Sequence, residues 1–159
     1  MSLEISTAGI LLKYCVEATA GTRPTSGYTT IPNIKTIPDF NPAPSNLEVT
    51  DLSDTTWKRY IEGLKDPGGS LSFDANFTTA FKSAWQDPST GLMKAYADGI
   101  AATPSKATWF EVYVPNFGSF YFAGTPAELG LASANVDEVF DGSVYITPNQ
   151  VHGWDTSST

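Results

Sequence analysis

The chain of 159 residues and 17.1 kDa is long enough for one domain that buries about two-thirds of the surface its unfolded form exposes. Nine Lys and Arg against 17 Asp and Glu leave a net charge of −8 and a pI near 4.4, which excludes nucleic-acid binding through a basic face and membrane attachment through a polybasic patch. Charged residues reach only 16% and aromatic residues 13%, beside 13 Gly and 11 Pro, a balance that excludes disorder and points to β structure with extensive contact surfaces.

The first strand is expected from Ile10 to Val16, where Leu12, Tyr14 and Val16 share one face and Leu11, Lys13 and Cys15 the other. Glycine and proline recur from Gly21 to Pro44, which breaks helices and confines strands to two short extended pieces, Tyr28 to Ile31 and Ile34 to Ile37. Leu47 to Asp54 reads as an extended arm with a turn near Ser53-Asp54. Trp57 to Leu64 and Ser70 to Phe77 read as a hairpin about Lys65-Asp66-Pro67-Gly68-Gly69, and in its second arm Leu71, Phe73, Ala75 and Phe77 alternate with polar residues.

The period then lengthens. Phe77, Ala80, Phe81, Ala84 and Trp85 recur at helical spacing, Asp87-Pro88 supplies a cap and a first-turn proline, and Leu92, Met93, Tyr96 and Ile100 continue the stripe. A short helical turn and one helix, stopped between Gly99 and Pro104, are expected. A second hairpin follows, Ala107 to Pro115 and Phe117 to Gly124, and then strands over Pro126 to Ala134 and Glu138 to Thr147. The domain is read as residues 1–147, and the polar, aperiodic residues 148–159 as a flexible tail.

Few side chains carry chemistry. Cys15 is the only cysteine, so it forms no intrachain disulfide or cysteine-rich metal centre; it reads as a small buried hydrophobe in a reducing compartment. The N-terminus has no basic leader, and its apolar run Ile10-Leu11-Leu12 is broken by Lys13, so a soluble protein made without a secretion signal is expected. His152 is the only histidine, which leaves no Ser-His-Asp triad and no multi-histidine metal site. Asp51 and Asp54 have the residue types of a glycosidase pair or a cation site, but short acids in turns ordinarily bond their own backbone. Asp137, Glu138 and Asp141-Gly142 lack the alternate spacing of a cation loop, and Gly68-Gly69 lacks the Lys-Ser/Thr ending of a phosphate loop. Asn76-Phe77-Thr78 matches a glycosylation acceptor only as chance would produce it. Trp57, Trp85, Trp109 and Trp154 suit either a sugar-stacking platform or, more ordinarily, core and subunit contacts. No cofactor, metal or catalytic residue is assigned, and no enzyme is expected.

Three stretches carry a resemblance: Ile31-Pro32-Asn33-Ile34-Lys35-Thr36-Ile37-Pro38, Asn46 through Trp57-Lys58-Arg59-Tyr60-Ile61-Glu62-Gly63-Leu64 to Gly69-Ser70-Leu71-Ser72-Phe73, and Phe120-Tyr121-Phe122-Ala123-Gly124 to Ile146. In their order the chain resembles the major tail tube proteins of long-tailed bacteriophages over residues 10 to 147. It departs in a longer proline-rich approach from Arg23 to Pro44 and an extended helical region from Thr78 to Ala102. The C-terminal immunoglobulin-like domain of some relatives has no counterpart after Thr147.

The resemblance implies a mainly β fold, a sandwich or partly closed barrel of antiparallel strands with one flanking α-helix. It also implies hexameric rings that stack into a tail tube, through which DNA passes into the host without specific binding. Implied partners are further copies of the chain and the tape measure, tail terminator and distal tail proteins, with no membrane; the place is the virion tail, after synthesis in the host cytoplasm. The polar arm from Asn46 to Thr56 is expected to dock on a neighbouring subunit or the next ring through Leu47, Val49, Leu52 and Trp57. Glu48, Asp51 and Asp54 are expected to face the lumen, where a −8 protomer makes a wall that repels phosphates. The other readings are a carbohydrate-binding β-sandwich module and the inner tube protein of a contractile injection system.

Overall fold

The computed structural model describes residues 4–41 and 44–158. Pro42 in the proline-rich approach, its neighbour Ala43, Met1 to Leu3 of the expected domain and Thr159 of the expected tail lie outside the described residues. The elements run β1 (Leu11–Val16), β2 (Thr29–Thr30), β3 (Ile34–Thr36), β4 (Pro44–Glu48), β5 (Tyr60–Lys65), β6 (Leu71–Asn76), α1 (Thr79–Gln86), α2 (Leu92–Ala101), β7 (Thr108–Val114), β8 (Gly118–Pro126) and β9 (Asp141–Asp155). Seven strands form one curled antiparallel half-barrel in the order β2-β1-β7-β8-β9-β6-β3, while β4 and β5 pair apart as a two-stranded ribbon. The fold is therefore the mainly β, partly closed antiparallel barrel expected, with two flanking helices in place of one.

Alternation decides which side chains are inside. Leu12 and Tyr14, Phe110, Phe122, Val144 and Ile146, and Phe73 and Ala75 line one face of the sheet, and Phe81, Trp85 and Leu92 from the helices close over it. Phe81 and Trp85, one helical turn apart, bring their rings to 5.8 Å, and the Trp85 indole donates to the Ala127 carbonyl at 2.9 Å. Thr78 caps α1 by accepting the Phe81 amide at 3.1 Å, so the expected helical turn is a complete short helix. Asp87 does not start α2. It ties a turn between the helices by accepting the Ser89 and Thr90 amides at 2.8 and 3.0 Å, and α2 begins after Gly91, where a Cβ would lie 2.5 Å from the Asp87 amide nitrogen.

The other face of the sheet carries a second, more polar layer. Trp109, Tyr121 and Ala123 pack with Tyr28 there, under the loop after β1 and the segment after β9. Glu17 is buried and accepts the Trp109 indole at 2.9 Å and the Gly21 amide at 2.8 Å. Glu111 is wholly buried and accepts Tyr121 Oη at 2.9 Å, Ser158 Oγ at 2.7 Å and the Ser158 amide at 3.1 Å. Arg23 lies 4.3 Å over the Tyr121 ring and pairs with Asp155 at 2.8 Å. Burial alone would raise both glutamates; the donors around each outweigh it and hold both carboxyls below their ordinary value.

Several expectations are corrected by pairing. The hairpin expected from Trp57 to Phe77 does not form: β5 pairs with β4, whereas β6 pairs with β9 and β3. The reason is burial, since Phe73 and Ala75 give β6 one apolar face that the core covers, while β5 has large apolar residues on both parities and a Glu and a Gly between them, and buries neither side. Residues 127–140 form no strand, because β8 already has β7 and β9 on its two edges and the Leu129 amide is held by Gln86 Oε1 at 3.1 Å. The flexible tail expected from residue 148 is instead strand up to Asp155, with Pro148 to Asp155 paired to β8 between Gly124 and Ser119. Its polar residues misled because beyond Pro148 this strand is exposed at nearly every residue, so no buried face imposes an alternation on it. Cys15 is half-buried rather than buried.

Truncating Trp85 to Ala removes a fully buried indole and leaves the Ala127 carbonyl without its donor, and urea denaturation should report a loss of about 3–5 kcal/mol. The two depressed carboxyls contribute stability that is present above their ordinary value of 4.5 and is lost as pH falls through their folded-state values. The thermal midpoint should therefore drop on acidification below pH 4.5, and E17Q/E111Q should show a flatter acid limb than the parent.

Candidate assembly surface

The ribbon is a strand pair with both faces in water. Asn46 faces Glu62, Leu47 faces Ile61 and Glu48 faces Tyr60, with a bulge between Pro44 and Asn46. Opposed residues share a side, so Leu47, Ile61 and, one step outward, Val49 form one side, while Asn46, Glu48, Tyr60, Glu62 and, by its parity, Leu64 form the other. Toward the base the Leu47 side is flat: Ser45 Oγ donates to the Leu64 carbonyl at 2.8 Å, and a Cβ on Gly63 would lie 2.5 Å from the Ser45 hydroxyl. A side chain at this position would displace the Ser45 hydroxyl from its bond to the Leu64 carbonyl.

The tip is tied to itself. Arg59 donates from Nε to Asp54 at 2.8 Å and from Nη2 to Asp51 at 3.1 Å, its amide donates to Thr50 Oγ1 at 2.9 Å, and the Asp51 amide donates to Asp54 at 2.9 Å. Hydrogen bonds from Ser53 hold the Asp51 carboxyl below its ordinary value; the Asp51 amide and Arg59 do so for Asp54. The tip keeps its shape without support from the half-barrel.

All four expected anchors are exposed, Leu52 fully and Trp57 to 80%. The structure brings Leu47 and Val49 together on one side of the ribbon but leaves Leu52 and Trp57 on the tip loop. Of the expected lumen acids, Glu48 lies on the opposite side of the ribbon, and Asp51 and Asp54 share the Arg59 guanidinium. Sequence reasoning missed Tyr60, Ile61 and Leu64, which are exposed as well. The signal was present: large apolar residues fall on both parities of β5, so no single face could bury them.

A groove of about 610 Å³ separates the ribbon from β9. Pro44, Glu62 and Lys65 wall it on the ribbon side, Val151 and Trp154 on the other, and Phe40 lies between. Next to it Phe117 and Trp154 meet edge to face at 4.6 Å and 82°, so these exposed rings make no coplanar platform for a sugar. His152 lies in β9, where it bonds the Asp155 carboxylate at 3.0 Å. Among the described residues no group of three or more His, Cys, Asp or Glu is placed to hold a metal, and no helix is long and apolar enough to cross a membrane.

No protein-family model matches the chain, and neither does any curated protein sequence. Solved structures do share its fold. A chain from the sixfold-symmetrised baseplate of the anti-feeding prophage aligns with a TM-score of 0.62 at 9% identity, over 96% of this chain and 97% of its own. A chain from the tail of an empty GTA particle with C6 symmetry gives 0.57 at 14% identity, over 96% and 100%. A chain from the tube terminating cap of the anti-feeding prophage gives 0.57 at 10% identity, over 99% and 94%. The overall fold is thus one that chains of these tail, baseplate and cap structures share.

Replacing Arg59 by Ala should leave the thermal midpoint of the half-barrel nearly unchanged, because the ion pairs are exposed. Hydrogen exchange of the amides of Asp51 to Arg59 should accelerate, since the tie that shapes the tip is gone.

Proposed function

We propose that the protein is the major tail tube subunit of a long-tailed phage: six copies close a ring, rings stack, and DNA passes through the lumen on its way into the host. The observation that carries this reading is the ribbon, which holds apolar side chains in water, keeps its shape through its own ion pairs and stands apart from the sheet of its own domain. A two-stranded ribbon is marginal alone, and a structure that spends one on exposed Leu47, Ile61 and Trp57 gains most when a second molecule covers them. The fold likeness to a tail with C6 symmetry and a sixfold baseplate supports the ring, and the excess of acidic over basic residues suits a conduit that phosphates slide past.

In this reading the partners are the chain itself and the tape measure, tail terminator and distal tail proteins, and the protein belongs to the virion. Copies meet head to tail, an interface that closes into a ring only at a fixed rotation. The chain acts by assembly rather than catalysis, with burial of apolar surface as the driving force. The likeness to baseplate and cap chains of the anti-feeding prophage favours a second reading, the inner tube protein of a contractile injection system. That reading adds a sheath protein that binds the outside of the tube.

Negative-stain electron microscopy of concentrated protein, with light scattering on the same sample, should give rings or hollow tubes with sixfold end views. A variant lacking Asp51 to Thr55 should stay a folded monomer, and normal tubes from it would remove the arm from the assembly. Assembled tubes should not retain DNA at moderate salt; tight retention contradicts a repelling wall.

A further inference from the structure

We infer that the two sides of the ribbon have separate roles, and that the side formed by Leu47, Val49 and Ile61, with flat Ser45 and Gly63 at its base, docks on a second copy of this chain. The inference rests on the tube reading and adds which side makes the contact and which does not.

The register settles the chemistry of each side. Leu47 and Ile61 lie opposite each other, and Val49 follows with its amide bonded to the Arg59 carbonyl at 2.9 Å, so three apolar residues are contiguous on this side between Arg59 at the tip and Ser45 at the base. The side carries one charged residue, Arg59, and Asp51 and Asp54 already neutralise it. The opposite side also holds exposed Tyr60 and Leu64, but it carries Glu48 and Glu62, whose burial against a protein partner would cost desolvation.

The occupant follows from where each side points. The groove beside β9 is walled by Pro44 and Glu62, and Glu62 belongs to the Glu48 side, so it is this side that looks toward the chain's own half-barrel. The Leu47 side is turned away from the body that would otherwise cover it, and both residues are more than half exposed. A flat base made by Gly63 and Ser45 lets another sheet approach closely, as face-to-face sheet packing requires. A ribbon pre-shaped by the Arg59 ion pairs also loses little freedom on docking.

The test compares the sides. L47D and I61D should raise the protein concentration at which assemblies first appear by at least about tenfold, because each places a charge in the contact. Their circular dichroism and thermal midpoints should match the parent, since neither residue packs on the half-barrel. E48Q and E62Q should assemble at the parent's concentration. As a check that needs no destabilising change, I61C and E62C in a C15S background are treated with maleimide before and after assembly. Cysteine at 61 should react as a monomer and be protected in the assembly, and cysteine at 62 should react in both.

Parent-like assembly by L47D and I61D overturns the inference while leaving the tube reading standing, as does equal protection of the two cysteines. Protection of cysteine 61 in the monomer means that the chain's own body is the occupant and overturns it too. A parent protein that forms no self-assembly at any concentration removes the tube reading and the inference with it.

Discussion

The half-barrel depends on one strand being shared. β9 runs 15 residues, and its first part pairs with β6 from Asp141 to Ile146 while its later part pairs with β8 from Ile146 to Asp155. The strands that precede the helices meet those that follow them at two seams, β1 with β7 and β6 with β9, and Ile146, wholly buried at the changeover along β9, is where two pairings and the core coincide. A strand of that length cannot stay flat. It bulges twice against β8, between Tyr121 and Phe122 and between Ala123 and Gly124, which is how an antiparallel sheet gains the twist that curls it into half a barrel.

Curling gives the sheet two covered faces of different character. One is apolar and closed by the helices; the other holds Glu17, Glu111, Tyr121 and Arg23 in a network where each buried carboxylate has several donors. Buried charge is tolerated there because the donors are fixed by backbone pairing, with Lys13 and Glu111 directly opposed across β1 and β7 and Lys13 also lying 5.1 Å over the Tyr113 ring. The segment after β9 takes part through Ser158, so the end of the long strand is tied to the same layer that the loop after β1 covers.

The ribbon is the exception to this economy of burial. The main sheet covers most of its large apolar residues, with Tyr145, Val151 and Trp154 of β9 among the exceptions, whereas β4 and β5 hold theirs in water on a scaffold stiffened by ion pairs at the tip. A feature that costs solvation locally and is kept rigid suits an interface whose other half lies on another molecule, which is the physical basis of the tube reading. The loop of residues 127–140, with Leu131, Val136 and Val139 exposed, is a second place where apolar side chains stand uncovered.

Much of the fold was legible in the residues. The period of two along β1 and β6 placed Leu12 and Phe73, the change to helical period placed Phe81 and Trp85, and Asn116 and Gly118 take the positive φ angles that the expected turn between β7 and β8 needs. The acidic balance and the single cysteine bounded the chemistry without any structure. What the local pattern did not contain was partnership. A strand's alternation states which side chains want burial, and hydrogen-bond partners are chosen by which distant strand offers the matching face. Hence β6 leaves its sequence neighbour for β9, β5 is left to β4, and the polar end of the chain is strand because β8 has an edge for it. The sequence alone determined composition, charge, the helical period of α1 and α2 and the apolar face of strands such as β1 and β6, all of which follow from neighbours along the chain. Tertiary structure alone decided the pairing, and with it that Leu47 and Ile61 would share an exposed side while Asp51 and Asp54 closed on Arg59, because those contacts join residues that only the completed fold brings within reach.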